Sequence, residues 1–137
     1  MPSVDERHRL VLTELVGPSL APGETIEAIL PFATVPKRPR GPDGKVREGL
    51  WQSTALHRPL VLTDRALYVF DAGRTPFPRF LIATYARDAL RVVDVRHRRL
   101  STRTVTVSIP GEGDVPFEVG TKDDVEVFVA SLASATS

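Results

Sequence analysis

Arg58-Pro59-Leu60-Val61-Leu62-Thr63-Asp64-Arg65-Ala66-Leu67-Tyr68-Val69-Phe70 decides the fold class. Two short apolar runs, Pro59 to Leu62 and Ala66 to Phe70, flank the tripeptide Thr63-Asp64-Arg65. Thr and Asp side chains bond to their own backbone and favour tight turns. β-Branched and aromatic residues favour a pleated, half-buried surface. The stretch therefore reads as two antiparallel strands joined by a turn.

Downstream the same grammar continues. Asp71-Ala72-Gly73, with Pro76 and Pro78, breaks the chain. Phe80 to Tyr85 and Leu90 to Val95 read as strands, and His97-Arg98-Arg99 as a polar turn. Thr102, Thr104, Thr106 and Ser108 alternate with Arg103, Val105, Val107 and Ile109, the clearest strand pattern in the chain. Pro110 to Asp114 is a turn, and Val115, Phe117 and Val119 mark a last strand. Upstream, Leu50 to Ala55 reads as a strand and Pro36 to Gly49 as a long proline- and glycine-rich loop. Glu24 to Phe32 alternates polar and apolar residues, and Pro31 places that strand at an edge or a bulge.

Helices bracket this β region. Ser3 and Glu6 form a capping box, Val4, Val11, Leu12, Leu15 and Val16 follow helical spacing with His8 on the same stripe, and Gly17-Pro18 ends the element. At the other end Thr121 and Asp124 form a second capping box ahead of the stripe Val125, Phe128, Val129 and Leu132. The domain reading is residues 1–18 as an amphipathic helical arm and 19–134 as a β domain whose closing helix spans 121–133.

With 137 residues the chain suits one domain, and 42% apolar with 26% charged residues is ordinary for a folded protein. The absence of cysteine excludes disulfides, thiolate metal sites and cysteine nucleophiles. The first residues, Met1-Pro2-Ser3-Val4-Asp5-Glu6, carry acids where an export signal carries cations, and no long apolar run follows. A soluble, cytoplasmic protein is the expectation. A net charge of +1 conceals separated signs: Lys37 to Arg47 and Arg91 to Arg103 are basic, and Glu112 to Glu126 is acidic.

About seven short antiparallel strands and one closing amphipathic helix need their edges closed or covered. A barrel of two near-orthogonal sheets with a helix plugging one end satisfies that need. The Arg58 to Phe70 hairpin resembles the central hairpin of bacterial pleckstrin-homology-like domains, where an apolar strand ending in Leu-Thr-Asp precedes a strand carrying Leu and an aromatic. Leu90 to Val95 looks like the strand that opens their second sheet, and Thr121 to Ala133 like their closing helix. Where eukaryotic members commonly carry a helix Trp, this chain has Phe128, and its Trp51 lies in a strand pattern. The resemblance implies a mainly β, seven-stranded antiparallel barrel of two near-orthogonal sheets, a C-terminal capping helix and an extra N-terminal helix. It also implies a bacterial, non-catalytic binding or scaffolding domain without a cofactor.

Two surfaces carry the candidate sites. The first is anionic-ligand binding by Lys37, Arg38, Arg40, Lys45 and Arg47 in the long loop, with Arg74 and Arg79 at the same open end. The basic spacing of lipid-binding family members can be laid on Lys37 and Lys45-Val46-Arg47, and Arg58 aligns as well with their strand arginine. A solvated loop is the competing reading. The second is a partner-binding face of the N-terminal helix, Val4, Val11, Leu12 and Leu15, which must bury its stripe on its own barrel, a second copy or a partner. Exposed strand edges also accept peptides by strand addition. Arg96 to Arg99 could meet nucleic-acid phosphates but lacks neighbouring stacking aromatics. His8, His57 and His97 have no metal-ligand spacing. No Gly-x-Ser-x-Gly elbow, P-loop or dinucleotide fingerprint occurs. The expectation is recognition of a protein or peptide partner, or self-association, with anionic lipid headgroup binding as the alternative.

Overall fold

A computed structural model describes residues 4–35, 56–72, 78–99, 102–120 and 123–134. The N-terminal helix, α1, spans Val4–Val16, and a short helical turn, Gly17–Ser19, ends it where Gly17-Pro18 interrupts the pattern. Among the described residues nine strand segments follow: β1 Ile26–Leu30, β2 Thr34–Val35, β3 Leu56–His57, β4 Leu60–Thr63, β5 Ala66–Ala72, β6 Pro78–Ala86, β7 Arg91–Arg99, β8 Thr102–Ile109 and β9 Gly113–Gly120. The closing helix, α2, spans Val125–Ser134.

The segments form a four-stranded sheet, β1-β4-β5-β6, and a five-stranded sheet, β3-β2-β9-β8-β7, with every pairing antiparallel. The nine segments make seven strands, because two of them bend from one sheet into the other. Pro31-Phe32-Ala33 is the corner between β1 and β2, and Arg58-Pro59 the corner between β3 and β4. Pro cannot donate to a ladder, so regular pairing stops at each corner. The two bent strands still pair with each other on both sides, Leu30 with Leu60 and Thr34 with His57. The Arg58 amide donates to the Ala33 carbonyl at 2.8 Å between them.

Thr63-Asp64-Arg65 is the expected turn. The Thr63 hydroxyl accepts from the amides of Arg65 at 3.1 Å and Ala66 at 3.0 Å and donates to Glu24. The Asp64 carboxylate accepts from the Thr25 amide at 2.9 Å, which ties the hairpin to the start of β1. Gly111 and Gly113 supply the positive φ of 82° that the β8–β9 turn requires, a conformation costly for other residues.

The core lies between the sheets. Leu30, Leu60, Leu62, Leu67, Leu90, Val105, Val107, Ile109, Val115 and Phe117 meet there, and α2 stoppers one end with Val125, Phe128 and Leu132. A second apolar layer covers the outer face of the four-stranded sheet, where Leu12 and Val16 of α1 pack on Val61, Ala66, Tyr68 and Phe70. Every residue of β4 is buried and β5 nearly so, the pattern of strands covered on both faces.

Three local expectations change. His97 to Arg99 is not a turn but the end of β7, which extends to Arg99. The backbone there pairs with β8, His97 opposite Arg103 and Arg99 opposite Thr102. The closing helix begins at Val125 rather than Thr121. Asp124 ends up as its N-cap by backbone, its carbonyl accepting the Phe128 amide at 2.9 Å, while its carboxylate reaches away from the helix. Leu50 to Ala55, Trp51 and the Ser3 and Thr121 caps lie outside the described residues.

Candidate functional site

A sheet exposes unpaired N–H and C=O groups along its edges, so the fate of each edge decides where a partner can bind. The β1 edge is covered by the start of α2. The Ile29 amide donates to the Asp124 carboxylate at 2.9 Å, and the Asp124 amide donates to the Ile29 carbonyl at 3.1 Å, as a neighbouring strand would. One step on, the Asp123 carboxylate accepts from Phe32 at 2.9 Å and from Gly120 at 2.8 Å. Burial raises the Asp123 pKa despite these two amides. Burial would also raise that of Asp124, but the Arg9 guanidinium and the Ile29 amide outweigh it and leave the group below its usual value.

Among the described residues, β6 and β7 keep one side without a strand partner. They are consecutive in the chain, joined by a helical turn at Arg87–Ala89, and belong to different sheets. Together they form an open seam in the barrel. At its joined end the seam is tied: the Arg87 guanidinium donates to the Ser131 carbonyl at 2.8 Å and the Thr63 carbonyl at 3.1 Å and pairs with Glu27. Tyr85 reaches Glu112 at 3.4 Å. Burial, reinforced by the Glu112 charge, pushes the Tyr85 phenol up to about 12.

Away from that corner the seam exposes apolar side chains: Phe80 (54%) and Ile82 (40%) on β6, Val93 (49%) and Val95 (38%) on β7. On β7 these valines alternate with charge. Arg91, Arg96 and His97 are exposed, and Arg96 Nε lies 2.7 Å from Asp94. The register against β8 shifts between Val92 and Asp94, a bulge that turns Val93 outward. The sequence reads Leu90 to Val95 as a strand without saying which of its side chains are exposed, so it does not reveal the seam. Its signal was the doubled valine, Val92-Val93, which breaks the period of two.

At the opposite end from Arg87, the boundaries of 36–55 and 73–77 meet the ends of β3, β5 and β6. Arg58, almost wholly buried, donates to Asp71 at 3.1 Å and to the His57 carbonyl at 3.2 Å. Arg79 donates to the other Asp71 oxygen from its Nε at 2.7 Å and lies 5.6 Å from the Phe80 ring centre. One carboxylate thus engages two guanidiniums and leaves the cluster with one surplus positive charge. Lys37, Arg38, Arg40, Lys45, Arg47 and Arg74 lie outside the described residues.

On α1, Leu12 is fully buried by the chain's own sheet, Leu15 packs beside it and Val11 is half-buried. The Val4 side chain lies outside the described residues. Leu12 is therefore covered within one copy of the chain and is not a free contact for a partner. His8 is buried with its ring edge-on to Phe32, 5.0 Å between centres. Among the described residues no three His, Asp or Glu side chains gather as a metal site would need, and no helix is long and apolar enough to cross a membrane.

No protein-family model matches the sequence, and no curated protein matches it either. Among solved structures, the chain is similar to the crystal structure of a pleckstrin homology domain from Shewanella amazonensis SB2B. The match has a TM-score of 0.51 and 16% sequence identity over 93% of this chain and 97% of that one. At that identity the likeness speaks for the fold. It agrees with the two antiparallel sheets, the bent strands shared between them and the plugging C-terminal helix: this chain has a pleckstrin-homology-like fold.

Proposed function

We propose that this chain is a non-catalytic recognition domain that binds an extended segment of a protein partner along β7, by strand addition. The observation that carries the reading is an edge without a strand partner among the described residues, bearing exposed Val93 and Val95 between exposed Arg91 and Arg96. Strand addition draws affinity from backbone hydrogen bonds and specificity from alternate side chains. As a sequence, β7 carries Arg91, Arg96, Arg98 and Arg99 against Asp94, so the complementary segment alternates apolar with acidic residues. A single strand edge is a small interface, so the affinity is roughly micromolar.

Selection from a displayed library of extended peptides tests this. The enriched sequences should alternate apolar and acidic positions, and Val93→Lys and Val95→Lys should each abolish their binding. No enrichment, or binding indifferent to both lysines, overturns the reading.

The second reading, an anionic lipid headgroup, is supported by the surplus charge of Arg58, Asp71 and Arg79 beside the boundaries of the basic loop. Against it, Arg79 is already engaged by Asp71, and an incoming phosphate would compete with that carboxylate. Sedimentation with phosphoinositide-containing vesicles at low ionic strength separates the two readings. Binding lost in Lys45→Glu and Arg47→Glu but kept in Val95→Lys would favour the headgroup.

A further inference from the structure

β6, which packs beside α1 on one face and has no strand partner on its side away from β5 among the described residues, has a different chemistry from β7. From Phe80 to Ala86, β6 reads Phe-Leu-Ile-Ala-Thr-Tyr-Ala, without a charge, proline or glycine. Uncharged windows of high β propensity pair with copies of themselves when they lie at an open edge. Natural edges are usually blunted with charge or proline. The one charged residue of β6, Arg79, is drawn onto Asp71 at the start of the strand. Phe80, Ile82, Thr84 and Ala86 are all exposed.

We infer that β6 docks against β6 of a second copy of this chain, antiparallel about a two-fold axis, so that the two four-stranded sheets become continuous. Complementarity selects the occupant. In any antiparallel register over 80–86, only uncharged side chains face one another. Along β7 the same operation would set arginine against arginine in most registers. Two-fold pairing uses up both β6 edges, so growth stops at the dimer. Register shifts between Val69 and Phe70 and between Asp71 and Ala72 leave Ala83 to Ala86 as the straight stretch, which keeps the interface small. The dimer is accordingly roughly micromolar or weaker. It leaves β7 open, so it stands or falls independently of the peptide reading.

Sedimentation equilibrium of the full chain over a wide concentration range tests it. The expected result is reversible dimerisation, weakened about tenfold or more by Ile82→Lys and by Thr84→Lys, which set like charges together across the axis, and unchanged by Val95→Lys. Circular dichroism checks folding. If Ile82→Lys perturbs it, Thr84→Lys decides, together with concentration-dependent amide protection on β6. A monomeric mass up to about 1 mM, where even a weak complex associates, overturns the inference. So does a dimer that survives Thr84→Lys or dissolves in Val95→Lys.

Discussion

Arg9 and Asp124, separated by 115 positions, form a two-pronged ion pair, Nη1 to Oδ2 at 2.9 Å and Nη2 to Oδ1 at 2.8 Å. The same Oδ2 accepts the Ile29 amide at 2.9 Å. One carboxylate therefore joins α1, β1 and α2, and it anchors the helix that the β-barrel pattern does not itself require.

Removing that anchor has a pH signature. Arg9→Gln should destabilise the fold by about 1–2 kcal/mol at neutral pH, the low end for hydrogen bonds to a charged group because both side chains are partly exposed. Although burial opposes it, Arg9 and the Ile29 amide leave the Asp124 pKa lowered on folding. A lowered carboxyl contributes stability that is present above its unfolded value, near 3.9, and is lost as pH falls through the folded value. Urea unfolding should thus separate variant from parent at pH 7 and bring them together at strongly acidic pH. An equal gap at both would contradict the pairing.

α1 should behave as part of the domain. Leu12→Ala removes a fully buried side chain and should cost about 2–5 kcal/mol. Leu10, 57% exposed on the far side of the helix, should cost within about 0.5 kcal/mol on the same change. Thermal or denaturant unfolding reads both, and equal small effects would mean that α1 is not packed on its own sheet.

Asp71 offers a contrast within one carboxylate. Its partner Arg58 has a side chain 5% exposed, and its partner Arg79 one 55% exposed. Asp71→Ala strands a buried guanidinium and should cost about 3 kcal/mol or more. Arg79→Ala removes only the exposed partner and should cost less than about 1 kcal/mol. Urea midpoints of the two variants check the order.

Both tyrosines of the chain should titrate late. Burial first, then the Glu24 hydrogen bond and charge, pushes Tyr68 up to about 12, and burial with Glu112 does the same for Tyr85. Raised phenols contribute stability that is complete below the unfolded value near 10 and is lost as pH rises towards about 12. A phenolate absorbance titration should show no midpoint near 10 until unfolding begins. Glu24→Gln should bring Tyr68 down and leave Tyr85 in place.

Much of the fold was legible because the period of two is a local signal. Val105, Val107 and Ile109 point inward as their alternation requires, and the Thr63-Asp64-Arg65 turn forms as its residues dictate. What was illegible depends on partners distant in sequence. Asp124 looked like a helix cap, and only the fold brings Ile29 and Arg9 to its carboxylate. The apolar run Leu60-Val61-Leu62 reads locally as a strand, but that both its faces are covered, the outer one by Leu12 and Val16, depends on α1 far away in sequence. The seam was hidden for the same reason: nothing local to Val93 and Val95 tells that the strand order among the described residues leaves one side of β7 without a neighbour.

Residue-resolved amide hydrogen exchange on β7 tests the open edge most directly. In the free chain, the amides of Asp94 to His97 that point away from β8 should exchange fast while their β8-bonded neighbours stay protected. A saturating, library-selected peptide should slow those fast amides and leave the rest of the barrel unchanged. Outward β7 amides already protected in the free monomer, or still fast with peptide bound, would contradict recognition by strand addition.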